Sequence, residues 1–488
     1  MSGHPESASP IPSRITNILG LAGTKAVLLT IAETVRASYW FLPAVMVVCS
    51  ILLASLTQWL DARVDPGWLE GFEWLYSNQT VGARAVLSTI ASSMITVAGV
   101  TFSMTIVSVS NASAQFGPRL VANFMRDRGN QITLGIFIAT FTYCLMVLRG
   151  VRDGVADDSE VVAFIPHISV LVAVLLAFAS ISVLIYFIHH VPETINVGNI
   201  IAKIGRDLRR SVDELFDGND EPTQTDLSGR QGRTEFETYE IAQSTTVASD
   251  RSGYVRALDL EEIFAIACKH DVKVRVEYVP GDFALVGEAI FYVLPGERAS
   301  EDCVDALRAC VSLSERPDRA QDVRFLVDQL VEIIARALSP GVNDPYTAIN
   351  CLNLLMDSLA LATRRSSPAS VRMDSDGNAR VVSNPYDFER LAKSIFRQSL
   401  QYVASDRNVT LHVMHMIATV GSRSNQPAHR EALRKHADEI AAVASDAIGN
   451  RLQAAEIERA ADLVGKILEG DADVETLREG EAWLGGSG

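Results

Sequence analysis

Four long apolar runs precede residue 190, and amphipathic periodicity follows them. Trp40 to Leu60 (WFLPAVMVVCSILLASLTQWL) holds twenty-one residues without a charge, enough at ~1.5 Å per residue to cross a ~30 Å hydrocarbon core. Trp40 and Trp59 stand at its ends, where indole rings anchor at a membrane interface. Ala85–Ser110, Ile132–Leu148 and Phe164–Ile188 are likewise free of Asp, Glu, Lys and Arg. The pattern predicts spans at 40–60, 85–110, 132–148 and 164–188 within a transmembrane domain at 37–192. Ile15 to Val35 is apolar but carries Lys25 and Glu33, so an interfacial helix is expected within a cytoplasmic N-terminal stretch at 1–36.

Beyond the spans, Ile200, Ile201, Ile204, Leu208, Val212 and Leu215 share one face of a connecting helix at 193–216. A polar, turn-rich linker at 217–250 follows. Asp259 and Glu262 have capping-box spacing ahead of a helix ending near His270. Val272, Val274, Val276 and Tyr278 then alternate with Lys273, Arg275 and Glu277, as in a half-buried strand. With the turn Pro280-Gly281-Asp282 and short strands in FALV and AIFYV, this predicts a small α/β barrel-like element at 251–298. Its order is similar to half of a lipoyl-type barrel, but no turn lysine is present to carry a cofactor. A helical domain at 299–470 and a tail at 471–488 complete the chain, with an exposed hairpin expected at 371–383 around Asp376-Gly377. The expected fold class is a membrane α-helical protein with four transmembrane helices and a C-terminal, mainly α cytoplasmic domain containing a small β element.

Charge sharpens the division. The 488 residues carry a net charge of −16. Residues 1–210 hold 14 Lys and Arg against 13 Asp and Glu, whereas 211–488 hold 29 against 46. Acidity without a basic run disfavours nucleic acid as a partner. Arg14, Lys25 and Arg36 precede span one, Arg119, Arg126 and Arg128 separate spans two and three, and Lys203, Arg206, Arg209 and Arg210 follow span four. By the positive-inside rule both termini are expected in the cytoplasm; Arg63, Arg84, Arg149 and Arg152 weaken the contrast. Residues 1–13 show no cleavage-site pattern, so span one is expected to be retained.

Span two places Ser88, Ser92, Thr96, Gly99 and Ser103 at steps of three and four, a small, hydroxyl-bearing stripe. Such a stripe serves close helix packing, or it lines a wet permeation path. At the expected cytoplasmic mouth stand Gln115, Gly117, Pro118, Arg119, Arg126 and Asn130, read as a positive-inside loop or, functionally, as a gating elbow or anion-sensing collar. His167, His189 and His190 lie at the ends of span four, where imidazoles reach the interface or relay protons. In LSPGVNDPYTA, Asp344 suits an N-cap with Pro345 as the first helical residue. Alternatively Ser339, Asn343, Asp344, Tyr346 and Thr347, with Arg336, form a ligand pocket at a helix N-terminus.

Six cysteines show no paired spacing, and His412 and His415 lack an acidic or cysteine companion at helical spacing. The run DSDGN at 374–378 has its glycine too early for a calcium loop. No metal site and no cofactor are expected. No GxSxG, P-loop, HExxH, Rossmann or kinase pattern occurs.

The runs at 88–131 (STIASSMITVAGVTFSMTIVSVSNASAQFGPRLVANFMRDRGNQ), 183–191 (VLIYFIHHV), 252–259 (SGYVRALD) with 279–287 (VPGDFALVG), and 337–348 (ALSPGVNDPYTA) resemble the bacterial predicted membrane proteins of domain of unknown function 2254, from about residue 36 to about 445. The resemblance implies an integral inner-membrane protein with a cytoplasmic C-terminal domain and no assigned reaction. Ser92, Gln115, Pro118, Arg119, Asn130, Gln131, His189, His190, Asn343 and Asp344 fall in the matching blocks. Three functional classes follow. The favoured one is a homo-oligomeric channel or transport-related protein, with span two lining a path for ions and the lipid bilayer around it. The next is a membrane-anchored sensor or scaffold. An intramembrane hydrolase is the least favoured.

Overall fold

The computed structural model describes residues 40–63, 80–116, 127–152, 165–216, 243–317 and 322–479, with only the backbone at 112–116, 192, 194 and 195. The expected interfacial helix at 15–35 therefore lies outside the described residues. The chain divides into two compact units, 1–196 and 197–488.

The first unit contains α1 (Phe41–Asp61), α2 (Thr80–Phe116), α3 (Arg128–Gly150) and α4 (His167–Ile195). All four are long and apolar enough to cross a membrane. Half of the apolar window of α3 is buried, against 22–28% in the other three, which makes α3 the central helix. Its neighbours fix an antiparallel register with α2. Arg84 donates to the Val151 carbonyl at 3.0 Å. Leu87 and Ala91 pack with Tyr143, Cys144 and Val147, and Met94 and Ala98 pack with Phe137. The same register carries Thr101 and Thr105, both buried, to the level of Thr133 and Asn130.

In the second unit α5 (Val197–Leu215) buries Ile201, Ile204, Leu208 and Val212. The α/β part then runs β1 (Thr245–Ala248), β2 (Gly253–Leu258), α6 (Leu260–Lys269), β3 (Lys273–Val276), β4 (Phe283–Ala284), β5 (Ala289–Leu294), α7 (Glu301–Ala309) and β6 (Val311–Ser314). Helices α8 (Val323–Ala337) and α9 (Pro345–Ala362) follow, then β7 (Val371–Met373) and β8 (Ala379–Val382). The chain closes with α10 (Phe388–Val403), α11 (Arg407–Ser422), α12 (Pro427–Ala447), α13 (Arg451–Glu469) and α14 (Val474–Glu479). Among the described residues the strands form a five-stranded sheet, β1-β5-β3-β8-β7, and a three-stranded sheet, β4-β2-β6. Both sheets share one core, to which Val247, Val255, Val274, Phe291 and Val381 contribute with Ile263 of α6 and Leu307 of α7. Helix α5 packs along α8 and α9, with Leu354 lying against Gly205.

Strand structure thus exceeds the small element expected at 251–298 in both directions. Residues assigned to the linker supply β1, which pairs with β5 from Thr245↔Val293 to Ala248↔Ala289. The hairpin expected to stand exposed is instead joined to the sheet, because β8 pairs in parallel with β3 through Val274↔Val381 and Arg275↔Val382. Burial of Val381 and Val382 drives this pairing. Arg380 secures it through ion pairs to Asp271 and Asp374 at 2.7 and 2.6 Å.

Candidate functional site

Helix α2 has two unlike faces. Ala83, Leu87, Ala91, Met94 and Ala98 are buried within the bundle. Ser88, Ser92, Thr96, Gly99 and Ser103 are exposed on the opposite side. A Cβ added to Gly99 would meet nothing within 4 Å. Three hydroxyls turn back onto their own helix: Ser88 donates to the Ala85 carbonyl at 3.0 Å, Ser92 to Ser88 at 2.8 Å and Thr96 to Ser92 at 2.7 Å. Those three hydroxyls are therefore satisfied locally, and all five residues of the stripe are left exposed by their own bundle.

The polar line inside the bundle belongs to α3 instead. Near its C-terminal end, the Tyr143 hydroxyl donates to the Ser169 carbonyl at 3.1 Å and lies 2.9 Å from Thr57 Oγ1. Asp61, the last residue of α1, accepts from the backbone N–H groups of Ile168 and Ser169 at 2.7 and 3.0 Å and from the Ser169 hydroxyl at 2.6 Å. A carboxylate from one helix thus caps the N-terminus of another. Midway, Thr140 Oγ1 and Ser180 Oγ are 3.1 Å apart.

The N-terminal end of α3 is different. Asp127 caps the helix, its Oδ1 accepting from the Asn130 N–H at 3.0 Å. Nε2 of His190 lies 3.1 Å from the same oxygen, and its ring stacks on Tyr186 with centroids 4.9 Å apart. The ring sits directly over Gly129, where a Cβ would come within 2.6 Å of Nε2; only glycine permits that approach. One turn into the helix, Asn130 and Thr133 are each 1% exposed. Neither Oδ1 nor Nδ2 of Asn130, nor Oγ1 of Thr133, has a hydrogen-bond partner. Each buried orphan costs about 1–3 kcal/mol, so the arrangement calls for a reason.

Asn130, assigned from sequence to a loop at the mouth, is thus a buried residue in the first turn of α3. Pro118, Arg119 and Arg126 lie outside the described residues, as does the side chain of Gln115. His189 is exposed, 3.4 Å from Glu193, and His167 is the first residue of α4. The buried positions Thr133, Thr140, Tyr143, Ser169 and Ser180 were not singled out in the sequence. The recurrence of Asn130, Thr133, Thr140 and Tyr143 at steps of three and seven carries the signal.

In the second unit Asp344 caps α9, accepting from the Thr347 N–H at 3.1 Å and the Thr347 hydroxyl at 2.6 Å. Asn343 adopts φ 49°, and the Ser339 hydroxyl donates to the Arg336 carbonyl at 2.6 Å. Arg336 lies 3.5 Å from Glu332, while Tyr346 is 78% exposed. The polar groups of this loop largely satisfy one another. His412 and His415 point to separate partners, Asn353 at 2.6 Å and Thr419 at 3.3 Å. Among the described residues no three His, Cys, Asp or Glu side chains stand together as a metal set.

Four apolar helices of spanning length, a central helix with a buried polar line, and a second unit of helices and strands define a largely helical protein with candidate membrane spans. Residues 36–419 match the model of the DUF2254 family of predicted membrane proteins, and the chain belongs to that family. It is 30% identical over 358 residues to uncharacterised proteins of Mycobacterium bovis and Mycobacterium tuberculosis, a match covering 72% of this chain and 66% of each relative. A protein of a second Mycobacterium tuberculosis strain, also uncharacterised, is 31% identical over 360 residues. The chain thus spans just under two thirds of the length of these relatives. No solved structure matches.

Proposed function

We propose that several copies of this protein assemble in the bacterial inner membrane, termini inside, so that the outward stripe of α2 lines a path for ions. The carrying observation is the exposure of Ser88, Ser92, Thr96, Gly99 and Ser103 on a helix whose other face is already packed. Small and hydroxyl-bearing side chains suit close helix approach or water better than acyl chains. Exposed Ile95, Val100, Phe102 and Met104 flank the stripe and supply apolar contact beside it. The excess of 46 acidic over 29 basic residues in 211–488 favours cations at the inner side. No chemical reaction enters this reading.

The test is ion flux into liposomes by purified protein, comparing wild type with Gly99→Leu and Ser92→Leu after confirming that assembly is unchanged. Flux that is present in wild type and lost in both variants supports the path along α2. Wild-type protein that passes no ions across voltage, tension and pH overturns it. A second reading, a membrane-anchored sensor or scaffold, draws support from Val342 and Tyr346, which are 51% and 78% exposed around the Asp344 cap and offer an apolar contact for a partner.

A further inference from the structure

We infer that the Asp127 end of α3 holds a monovalent cation, bound by Asn130 Oδ1 and Thr133 Oγ1 beside the Asp127 carboxylate. Within the first unit, Asn130 and Thr133 are the described residues whose buried side-chain polar atoms lack partners. The contrast along one helix is informative. Thr140 and Tyr143, equally buried, are hydrogen-bonded across to α4 or α1, whereas Asn130 and Thr133, three residues apart on one side of α3, are not. A helical threonine ordinarily returns its hydroxyl to its own backbone, as Thr105 does to the Thr101 carbonyl at 2.8 Å. Thr133 does not, which leaves its oxygen for a ligand.

Charge decides the class of ligand. The neighbouring carboxylate, Asp127, uses Oδ1 for both the Asn130 N–H and His190, and neither bond engages Oδ2. An anion placed here meets that carboxylate, whereas a cation is neutralised by it. The set offers a single carboxylate among neutral oxygens, and no cluster of three His, Cys, Asp or Glu exists among the described residues. That donor set suits Na⁺ or K⁺ better than a divalent or transition metal. Because the Asn130 carboxamide has neither end committed, it can turn its oxygen to the ion. Asp127 is 22% exposed, so the carboxylate end of the site reaches the surface of the first unit. The site lies within one copy's bundle and does not rest on the path proposed along the outer face of α2.

The test is thermal unfolding of the purified full chain in detergent, in NaCl, KCl or choline chloride at equal ionic strength. Wild type is expected to melt a few degrees higher in Na⁺ or K⁺ than in choline. Thr133→Val keeps the shape and removes the oxygen, and should raise the cation concentration for half the shift by about tenfold or more; Thr133→Ser should retain it. Asn130→Ala provides the second loss. A melting temperature that is the same in all three salts overturns the site, as does a shift left undiminished in Thr133→Val and Asn130→Ala. Because the readout is binding-linked stability, its failure is distinguishable from an absence of flux.

Discussion

Nε2 of His190 and the carboxylate Oδ1 of Asp127 lie 3.1 Å apart, joining the far end of α4 to the residue that starts α3. The same oxygen accepts from the Asn130 N–H, so one carboxylate both caps a helix and holds its neighbour. Asp127→Ala is expected to lower the stability of the first unit by about 1–2 kcal/mol. Asp127→Asn preserves a capping oxygen and should lose less. Thermal unfolding followed by circular dichroism in choline chloride separates the two; equal losses would show that the cap contributes little.

Asp322 is 6% exposed, and burial pushes its carboxyl up to about 6 from an ordinary 3.8. Its Oδ1 accepts from the Phe325 N–H at 3.1 Å as the cap of α8, which only partly offsets the burial. A folded value above the unfolded one means stability that is present below pH 3.8 and lost as pH rises through about 6. Asp322→Asn, which keeps a capping oxygen, should therefore stabilise the protein by about 1–3 kcal/mol near pH 8 and by little near pH 4. The difference between the variant and wild-type unfolding curves across pH reads this directly. A constant difference would dissociate the gain from titration.

Burial also holds the imidazoles of His412, His429 and His436 below their ordinary 6.5. Asp387 opposes this at His429, and Glu439 opposes it at His436. His429 stacks on Phe388 with ring centroids 3.9 Å apart, so charging it disturbs a packed contact. Their contribution to stability is present above pH 6.5 and lost as pH falls below it toward their folded values. His436→Gln should flatten the decline in unfolding midpoint as pH falls below about 6.5. A variant curve parallel to wild type would remove His436 from the account.

Gly281 has φ +95°, and a Cβ there would lie 2.5 Å from Asp322 Oδ2. Both the backbone conformation and the space exclude a side chain. Gly281→Ala is expected to destabilise by about 1–3 kcal/mol, measured as a lower midpoint in denaturant. Combining it with Asp322→Ala should recover part of the loss, since the two residues touch.

The four apolar helices are legible because nothing else produces uncharged runs of that length, and Asp259 and Asp344 are legible as caps because capping is local. The interior of the bundle is less so. In RGNQITLGIFIATFTYCLMVLRG the polar residues are diluted by apolar ones on every side, and the more regular hydroxyl stripe of α2 draws attention outward. Which face is buried depends on neighbours, and a single helix sequence does not name its neighbours. The hairpin at 371–382 was visible through Asp376-Gly377, but its parallel pairing with Val274 joins residues more than a hundred positions apart and has no local signature.

That pairing also sets an order of events during synthesis. Until β8 leaves the ribosome, β3 is the open margin of its sheet, because its partner on that side is encoded only at Ala379–Val382. Three helices, α7, α8 and α9, are made in the interval. The nascent chain therefore carries an unpaired strand edge while it elongates, and a chain stopped before residue 371 would keep that edge for good, with aggregation as its expected fate.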